Sequence, residues 1–250
     1  MEPIITARKD PNVERVFALV NRWMLKRHFH QIWTIGFEAL KELDPTRPVI
    51  FYANHSNWWD GLIAFYITRD LLKIDGYLMM MARQLKKYRF FRWIGAFSVD
   101  RDSPISAYRS LEYISSLLSD NNKQPRALWI FPQGELLAND FRPIKFLRGL
   151  DWLIKQLPQA QLIAVTFRYE FLNEQLPEVF LSFNKTPHLS DLDPMKLKSF
   201  TKQLQEDLTK QLDKLKLEVI EQKTGGYQPI LKGGMSINIM YERAKKLLGL

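Results

Sequence analysis

A histidine and an aspartate stand five positions apart in the segment Asn54-His55-Ser56-Asn57-Trp58-Trp59-Asp60. Residues 48–53 predict a buried strand that ends just before His55, and ligand sites of open α/β sheets lie at such strand ends. Asp60 would then accept one imidazole N–H of His55, which leaves the other ring nitrogen as a base for an attacking alcohol. Taken alone the spacing is weak, because a turn histidine beside a helix-capping aspartate is usually structural.

Two further segments carry ligand-type residues, the first with an arginine after a short strand and the second directly after a predicted strand. Residues 95–101 contain Gly95, which allows close backbone approach, and Arg101, whose guanidinium can clamp an anion. Residues 131–135 place Gln133, Gly134 and Glu135 at a strand-to-turn junction, where polar groups can face a ligand. Each segment also has an ordinary interpretation. Arg101 would be a surface ion-pair partner, and residues 131–135 would be a plain turn.

Together and in this order, the three segments resemble the glycerolipid acyltransferase family, which includes the lysophosphatidate acyltransferases. Residues 54–60 match the family's His-x4-Asp motif, residues 95–101 match its second motif, and residues 131–135 fall where the family has Phe-Pro-Glu-Gly-Thr. The resemblance covers residues 32–170, more than half of the chain. It implies an α/β fold and a reaction in which a lipid hydroxyl attacks the thioester of acyl-coenzyme A or acyl-carrier protein. The family needs no metal, no cofactor and no covalent acyl-enzyme.

The resemblance also assigns roles to individual residues. His55 and Asp60 are expected to be the catalytic pair, with His55 as general base. Arg101 is expected to bind the acceptor. The residues expected to bind substrate are Asn54, Ser56, Gly95, Arg101, Gln133, Gly134 and Glu135.

The third motif departs from the family pattern in ways that concern the acceptor. Gln133 replaces Glu, Glu135 replaces Thr, and Leu136 stands where Arg is common. An anion is repelled there unless Lys145 or Arg148 compensates. Lysophosphatidate or a related lysophospholipid is the first expectation for the acceptor. A hydroxyl of a glycolipid or isoprenoid glycoside is one alternative, and a catalytically silent lipid-binding module of the same fold is another.

Strands and helices alternate along the chain, which predicts an α/β fold: a mixed, partly parallel sheet flanked by helices, with an N-terminal amphipathic helix and a long C-terminal helix. Strands are predicted at residues 31–37, 48–53, 76–82, 126–131, 162–169 and 179–183, and helices at residues 11–30, 58–72, 103–118 and after 194. The last helix is expected to pack on the domain, with a coiled coil as the alternative. We divide the chain into a membrane-interface helix (1–30), an acyltransferase core (31–190) and a C-terminal helical extension (191–250).

The first predicted helix has two interpretations. Asp10 is a good N-cap and Pro11 a good first residue. One helical face carries Val13, Val16, Phe17, Val20, Trp23 and Met24. That face would either pack on the domain or lie in a bilayer leaflet. Trp23 with its flanking basic residues favours the bilayer, as does the resemblance, because bacterial members of the family often sit on the membrane through N-terminal helices.

Composition and charge limit the classes of partner. The formal net charge of +9 favours anionic partners, and residues 83–93 mix basic and aromatic side chains without an acid. Acidic residues are spread through the rest of the chain and no nucleic-acid motif is recognised, so a membrane lipid surface is expected and nucleic acid is not. The absence of cysteine excludes thiolate nucleophiles and cysteine-based zinc sites. No run reaches the ~18–20 apolar residues of a spanning helix. We therefore expect a peripheral or monotopic protein on the cytoplasmic face of a membrane.

Overall fold

The computed structural model describes residues 3–120, 125–186 and 196–234, together with positions 241 and 245. The part of the C-terminal extension at residues 191–195, where the last helix was expected to begin after Asp193 and Pro194, lies outside the described residues. The same is true of most of the chain after residue 234.

The strands of the described chain form one mixed sheet with the order β4-β3-β5-β2-β6-β7-β1-β8. Their bounds are β1 Gln31–Ile35, β2 Val49–Ala53, β3 Asp75–Met81, β4 Ala96–Val99, β5 Arg126–Ile130, β6 Gln161–Glu170, β7 Glu178–Lys185 and β8 Gln228–Lys232. The five strands from β4 to β6 run parallel, whereas β7 is antiparallel to β6 and β8 is antiparallel to β1. The predicted mixed, partly parallel sheet is confirmed.

Helices cover both faces of this sheet. Their bounds are α1 Pro11–His28, α2 Trp59–Phe65, α3 Ala82–Lys87, α4 Pro104–Ser119, α5 Gly149–Gln156 and α6 Leu197–Ile220. A π-helical turn, Tyr66–Leu71, extends α2, and a 3-10 helix, Arg89–Ile94, follows α3. One apolar core joins α4, α5 and α6 to the sheet, and a second joins α1 and α2 to the opposite face. Below, these are called the α4 face and the α2 face.

Side-chain N-caps fix where α1 and α4 begin, and the cap of α1 was predicted. Asp10 Oδ1 accepts hydrogen bonds from the backbone N–H groups of Asn12 and Val13, at 2.9 and 3.1 Å. Ser103 Oγ accepts from the N–H of Ser106, at 3.3 Å. In both helices a proline follows the cap, where its missing N–H costs nothing.

The long C-terminal helix packs on the domain, as predicted. Leu204, Leu208, Leu212 and Leu215 of α6 are buried against β6, β7 and α5. The sheet also takes a strand that the sequence reasoning missed, because β8 pairs with β1. The C-terminal extension thus contributes both a helix and a strand to the structure that surrounds the core.

The N-terminal segment before α1 covers the outer edge of β4. The N–H of Ser98 donates to the carbonyl of Ile5, at 2.8 Å, and the N–H of Ile5 donates to Ser98 Oγ, at 2.7 Å. Further along, the N–H of Arg8 donates to the carbonyl of Arg92, at 2.8 Å. The first of these bonds satisfies the Ser98 N–H, a backbone group that a bare edge strand would leave open.

Candidate active site

His55 lies just after strand β2, and the turn that follows brings the Asp60 carboxylate to the Nδ1 side of the imidazole ring. His55 Nδ1 lies 2.8 Å from Asp60 Oδ2. The Asp60 side chain is fully buried, whereas that of His55 is 23% exposed. The predicted contact between these two side chains is therefore present, with the histidine facing outward and the carboxylate behind it.

The hydrogen bonds around Asp60 fix the tautomer of His55. Asp60 Oδ2 also accepts from the backbone N–H groups of Ser56 and Asn57, at 2.8 and 2.9 Å. A carboxylate that accepts these bonds can only accept from the ring as well, so Nδ1 carries a hydrogen. His55 Nε2 is then the acceptor nitrogen, with its lone pair available to a hydroxyl.

Tyr169, which the sequence reasoning missed, supplies a fourth donor to this carboxylate. Its hydroxyl donates to Asp60 Oδ1, at 2.5 Å. Burial raises the pKa of Tyr169 well above its ordinary value, and the neighbouring Asp60 charge acts in the same direction, so the phenol stays a donor. Tyr169 lies 109 residues from Asp60. Only the pairing of β6 with β2 brings the two together.

The third motif holds His55 in place through its backbone and its ring. Gln133 Oε1 accepts from the backbone N–H of His55, at 2.8 Å, and the N–H of Leu137 donates to the carbonyl of His55, at 2.9 Å. The Phe131 ring stacks on the imidazole with a centroid distance of 4.2 Å and an interplanar angle of 18°. This segment therefore limits both the position and the tilt of the histidine.

Asn54 and Ser56, on either side of His55, point into the protein. The Asn54 amide makes two hydrogen bonds to the backbone of Phe167: it accepts from the N–H at 2.7 Å and donates to the carbonyl at 3.0 Å. These bonds hold the turn that carries His55 against β6. Ser56 Oγ is buried and has no hydrogen-bond partner in the described chain. Their predicted contacts with substrate stay predictions.

Arg101 and Gly134 meet at the carboxyl end of the sheet. Arg101 Nη1 donates to the carbonyl of Gly134, at 2.5 Å. Gly134 has a φ of +73°, and a Cβ there would lie 2.5 Å from Leu147 Cδ1. Gly95 has a φ of +102°, and a Cβ there would lie 2.4 Å from the carbonyl oxygen of Gly76, so only glycine fits this turn. The second and third motifs are thus in direct contact.

A pocket of about 900 Å³ opens at this edge of the sheet. Of the predicted site residues it is lined by His55, Arg101, Gly134 and Glu135. The predicted site residues Asn54, Ser56, Asp60, Gly95 and Gln133 are not among its lining residues. The other charged lining residues are Glu14, Arg69, Arg83, Asp102 and Arg148. Most of the wall is apolar, which suits a hydrocarbon chain.

An exposed apolar surface lies beside this pocket. In α1 the buried residues are Ala18, Asn21 and Leu25. The exposed apolar residues of α1 are Val16, Leu19, Val20 and Trp23. Phe17 joins this helix to the aromatic cluster of the Arg89–Ile94 helix, since its ring lies 5.9 Å from that of Phe90. Among the described residues no helix combines the length and the hydropathy that crossing a bilayer requires.

Comparisons with known proteins agree with this geometry. A family model described as "Acyltransferase" matches residues 34–168, which is more than half of the chain. The chain is also 26% identical over 153 residues to the 1-acyl-sn-glycerol-3-phosphate acyltransferase of Streptococcus pneumoniae (strain ATCC BAA-255 / R6). The aligned region covers 58% of this chain and 52% of that relative, so the chain spans about half the length of the curated protein it matches.

Proposed function

The chain belongs to the acyltransferase family, and from that premise we propose that it transfers a fatty acyl group from a thioester to a hydroxyl group of a lipid. The observation that carries the proposal is the His55–Asp60 pair, 2.8 Å apart, whose histidine lines a largely apolar pocket. The buried carboxylate orients the ring, and the outer nitrogen is free to take a proton.

In the proposed reaction His55 Nε2 takes the proton of the acceptor hydroxyl as its oxygen bonds to the thioester carbonyl carbon. The resulting tetrahedral intermediate breaks its C–S bond, and the leaving thiolate takes the proton back from His55. Asp60 holds the ring in the required tautomer and stabilises the imidazolium that forms between the two steps. The transfer is direct, and no cofactor takes part.

For the donor we propose acyl-coenzyme A or acyl-carrier protein. Both are thioesters with a hydrocarbon chain, and both carry phosphate or carboxylate groups. The apolar wall of the pocket suits the chain. Cations at its mouth, Arg101 and Arg148, suit the anionic part of the donor or the acceptor.

For the acceptor we propose lysophosphatidate or a related lysophospholipid. Arg101 and Arg148 both line the pocket, and together they offset the negative charge of Glu135. The named relative acts on a 1-acylglycerol phosphate, which fits the same charge pattern. Glu135 also lines the pocket, and this favours a second candidate acceptor, the hydroxyl of a glycolipid or an isoprenoid glycoside. Competing lysophosphatidate against uncharged acceptors in one reaction separates the two, and preference for an uncharged acceptor would select the second.

We place the reaction at a membrane surface, on the cytoplasmic face. Val16, Leu19 and Trp23 are exposed on α1, and Arg27 lies over the Trp23 ring at 5.5 Å. Basic and aromatic side chains of residues 83–93 continue the same surface. Apolar side chains flanked by cations suit the boundary of an anionic bilayer.

The test is acyl transfer by the wild type, His55→Ala and the matched control His28→Ala, each supplied with labelled palmitoyl-coenzyme A and a total polar lipid extract. His28 is exposed on α1. We expect an acylated lipid, identified by mass spectrometry, from the wild type and the control but not from His55→Ala. Equal product from His55→Ala would overturn the assignment of the base. No product with either coenzyme A or carrier-protein donors would favour a silent lipid-binding module.

A further inference from the structure

The two oxygens of the Asp60 carboxylate have different partners. Oδ2 accepts three N–H groups of the turn itself, from His55 Nδ1 and from the backbones of Ser56 and Asn57, at 2.8, 2.8 and 2.9 Å. Oδ1 accepts from the hydroxyl of Tyr169, at 2.5 Å. Because the Asp60 side chain is fully buried, bulk water does not compete with these donors. The phenol therefore acts on the same carboxylate that holds the imidazole, but on its other oxygen.

Tyr169 acts on this carboxylate from outside the pocket. It is not among the residues that line the pocket, whereas His55 is. Its ring packs on that of Phe29, with a centroid distance of 6.0 Å, and its hydroxyl points inward to Asp60. A substrate in the pocket does not meet Tyr169, so any influence of the phenol on the reaction has to pass through Asp60.

The sheet fixes the position of this phenol. Tyr169 lies in β6, which pairs with β7 along this stretch. Two residues earlier, the backbone of Phe167 makes two hydrogen bonds to the side chain of Asn54, at 2.7 and 3.0 Å. A group on a paired strand is held more precisely than a group on a loop. The strand that supports the turn around His55 thus also places the Tyr169 hydroxyl against Asp60.

Hydrogen bonds to the two oxygens of one carboxylate affect each other. A phenol that donates to Oδ1 draws negative charge toward that oxygen and leaves less on Oδ2. The charge on Oδ2 determines how strongly Asp60 holds the Nδ1–H of His55, because charged acceptors make the stronger hydrogen bonds. Burial and the charge of Asp60 raise the pKa of Tyr169 well above its ordinary value, so the phenol keeps the proton that it donates.

We propose that Tyr169 is a positioning residue for acyl transfer, which limits the charge on Asp60 Oδ2 and so keeps the bond to His55 at an intermediate strength. In the proposed reaction His55 takes a proton from the acceptor hydroxyl and later gives it to the leaving thiolate. A weaker bond makes the first transfer harder, and a stronger bond makes the second harder. This role rests on the proposed function, whereas the coupling of the three side chains does not depend on it.

Two replacements at position 169 change the phenol in opposite directions. Tyr169→Phe removes the donor. Tyr169→fluorotyrosine, introduced at this position alone, nearly keeps the shape of the ring and makes the phenol a more acidic and stronger donor. Tyr66→Phe is the matched control, because Tyr66 is a buried tyrosine whose hydroxyl donates to the carbonyl of Ile230, at 3.0 Å. Far-UV circular dichroism at low temperature checks the fold of every variant.

The first readout is the nitrogen chemical shift of His55, which needs no turnover. Histidine is isotope-labelled, and the spectra start from the carbon-bound ring protons, so that both ring nitrogens are observed. The chain has four histidines, and the signals lost in His55→Ala identify this one. At a pH at which the Nε2 shift shows a neutral ring, we expect Nδ1 to move downfield in Tyr169→Phe and upfield in the fluorotyrosine variant. Tyr66→Phe should leave it in place.

The second readout is acyl transfer from palmitoyl-coenzyme A to 1-oleoyl-lysophosphatidate. We expect kcat of Tyr169→Phe to fall roughly tenfold, less than the ~10²–10⁴ that loss of a base costs, with both KM values unchanged. A wild-type kcat, or a change confined to KM, would refute the positioning role.

An Nδ1 shift that is absent or has the reverse sign in either variant would refute the coupling itself. If Tyr169→Phe does not fold, the fluorotyrosine variant decides the sign alone. The two readouts separate the two claims. Expected shifts together with no acyl transfer by the wild type would count against the proposed function and would still support the coupling.

Discussion

The Asp60 carboxylate is removed from water and accepts four hydrogen bonds. His55, Ser56 and Asn57 share one oxygen, and Tyr169 donates to the other. A buried charge without partners is costly, and hydrogen bonds to a charged group are about twice as strong as neutral ones. The carboxylate therefore organises the whole turn from residue 55 to residue 60, in addition to orienting the imidazole.

Replacing Asp60 by asparagine should abolish most of the activity. The amide keeps the shape but carries no charge, so in either orientation it cannot stabilise the imidazolium that forms on His55. We expect kcat to fall by ~10²–10⁴, the usual contribution of a positioned base. Initial rates of acyl transfer check this, with Glu38→Gln as a surface control, because the Glu38 side chain is 73% exposed and pairs with Lys41. A variant with wild-type kcat would contradict the orienting role.

Replacing Tyr169 by phenylalanine should destabilise the protein more than removing another buried tyrosine hydroxyl. Tyr169 donates to a carboxylate, and such a bond contributes about 1.5–3 kcal/mol. Tyr66 donates to the carbonyl of Ile230, at 3.0 Å, and a neutral bond of this kind contributes about 0.5–1.5 kcal/mol. The free energies of unfolding of Tyr169→Phe and Tyr66→Phe in urea give the comparison. Equal losses would mean that Asp60 gains no particular support from Tyr169.

At the scale of elements, α1 presents apolar side chains on the side that faces away from the sheet. Its buried residues are Ala18, Asn21 and Leu25, and the Phe17 ring contacts that of Phe65 at 5.1 Å. The amide of Asn21 donates to the carbonyl of Leu62, at 3.0 Å, which fixes the rotation of the helix. With that rotation fixed, Leu19 and Trp23 are 70% and 58% exposed. The helix therefore packs on the domain and also offers a face to a second surface.

Replacing Leu19 and Trp23 together by glutamine should weaken the binding of the protein to anionic vesicles. Burying one large apolar side chain contributes about 1.5–3 kcal/mol, so the double variant should lose at least tenfold in partitioning to phosphatidylglycerol vesicles. Leu217→Gln is the control, because Leu217 is 56% exposed on α6, away from this face. Vesicle co-sedimentation measures both variants. A loss of the same size for the control would show that general hydropathy, and not α1, drives partitioning.

Patterns within short stretches of sequence were enough to predict many of the strands and helices. The run at residues 48–53 is apolar because β2 is buried on both faces, and Asp10 and Ser103 cap helices through their own side chains. The chemistry at His55 and Asp60 is also local, since one short turn carries both residues. Local signals did not predict β8, whose sequence contains Pro229 and Lys232 and whose pairing depends on β1.

Contacts between distant segments had no signal in the sequence. Nothing near Tyr169 indicates that its hydroxyl meets Asp60, and nothing near Gln133 indicates that its amide accepts from the backbone of His55. The sequence also did not indicate which face of α1 packs on the domain. A stripe of apolar residues looks alike whether it meets a sheet or a bilayer, and only the burial of Ala18 and Asn21 shows which side of the helix meets the domain.

At the scale of the whole molecule, the buried tyrosines make the stability of the folded protein fall at alkaline pH. Burial raises the pKa of Tyr52 to about 12. Burial also raises the pKa of Tyr77, Tyr169 and Tyr227 above the ordinary value near 10. The unfolded chain releases these protons near pH 10 while the folded protein keeps them. The stabilisation is complete below pH 10 and is lost as the pH rises from there toward 12.

The Tm should therefore be level between pH 8 and about pH 9.5 and should fall steeply above pH 10, where unfolded tyrosines ionise. Calorimetry at a series of pH values measures the fall. Tyr227→Phe removes one contributor, whose hydroxyl donates to Glu218 at 2.6 Å, and should make the fall shallower. An unchanged slope in this variant would assign the alkaline loss to other groups.

The segment beside β4 has a consequence for behaviour at high local concentration. A sheet edge with open N–H and C=O groups is a template on which a second molecule can add its own strand. Here Ile5 occupies the edge at β4 by accepting from the Ser98 N–H, and Pro229, which has no N–H to donate, interrupts the edge strand at the opposite end. Neither edge of the sheet therefore readily accepts a strand from a second molecule. Many copies crowded into a thin layer can remain separate particles instead of polymerising edge to edge.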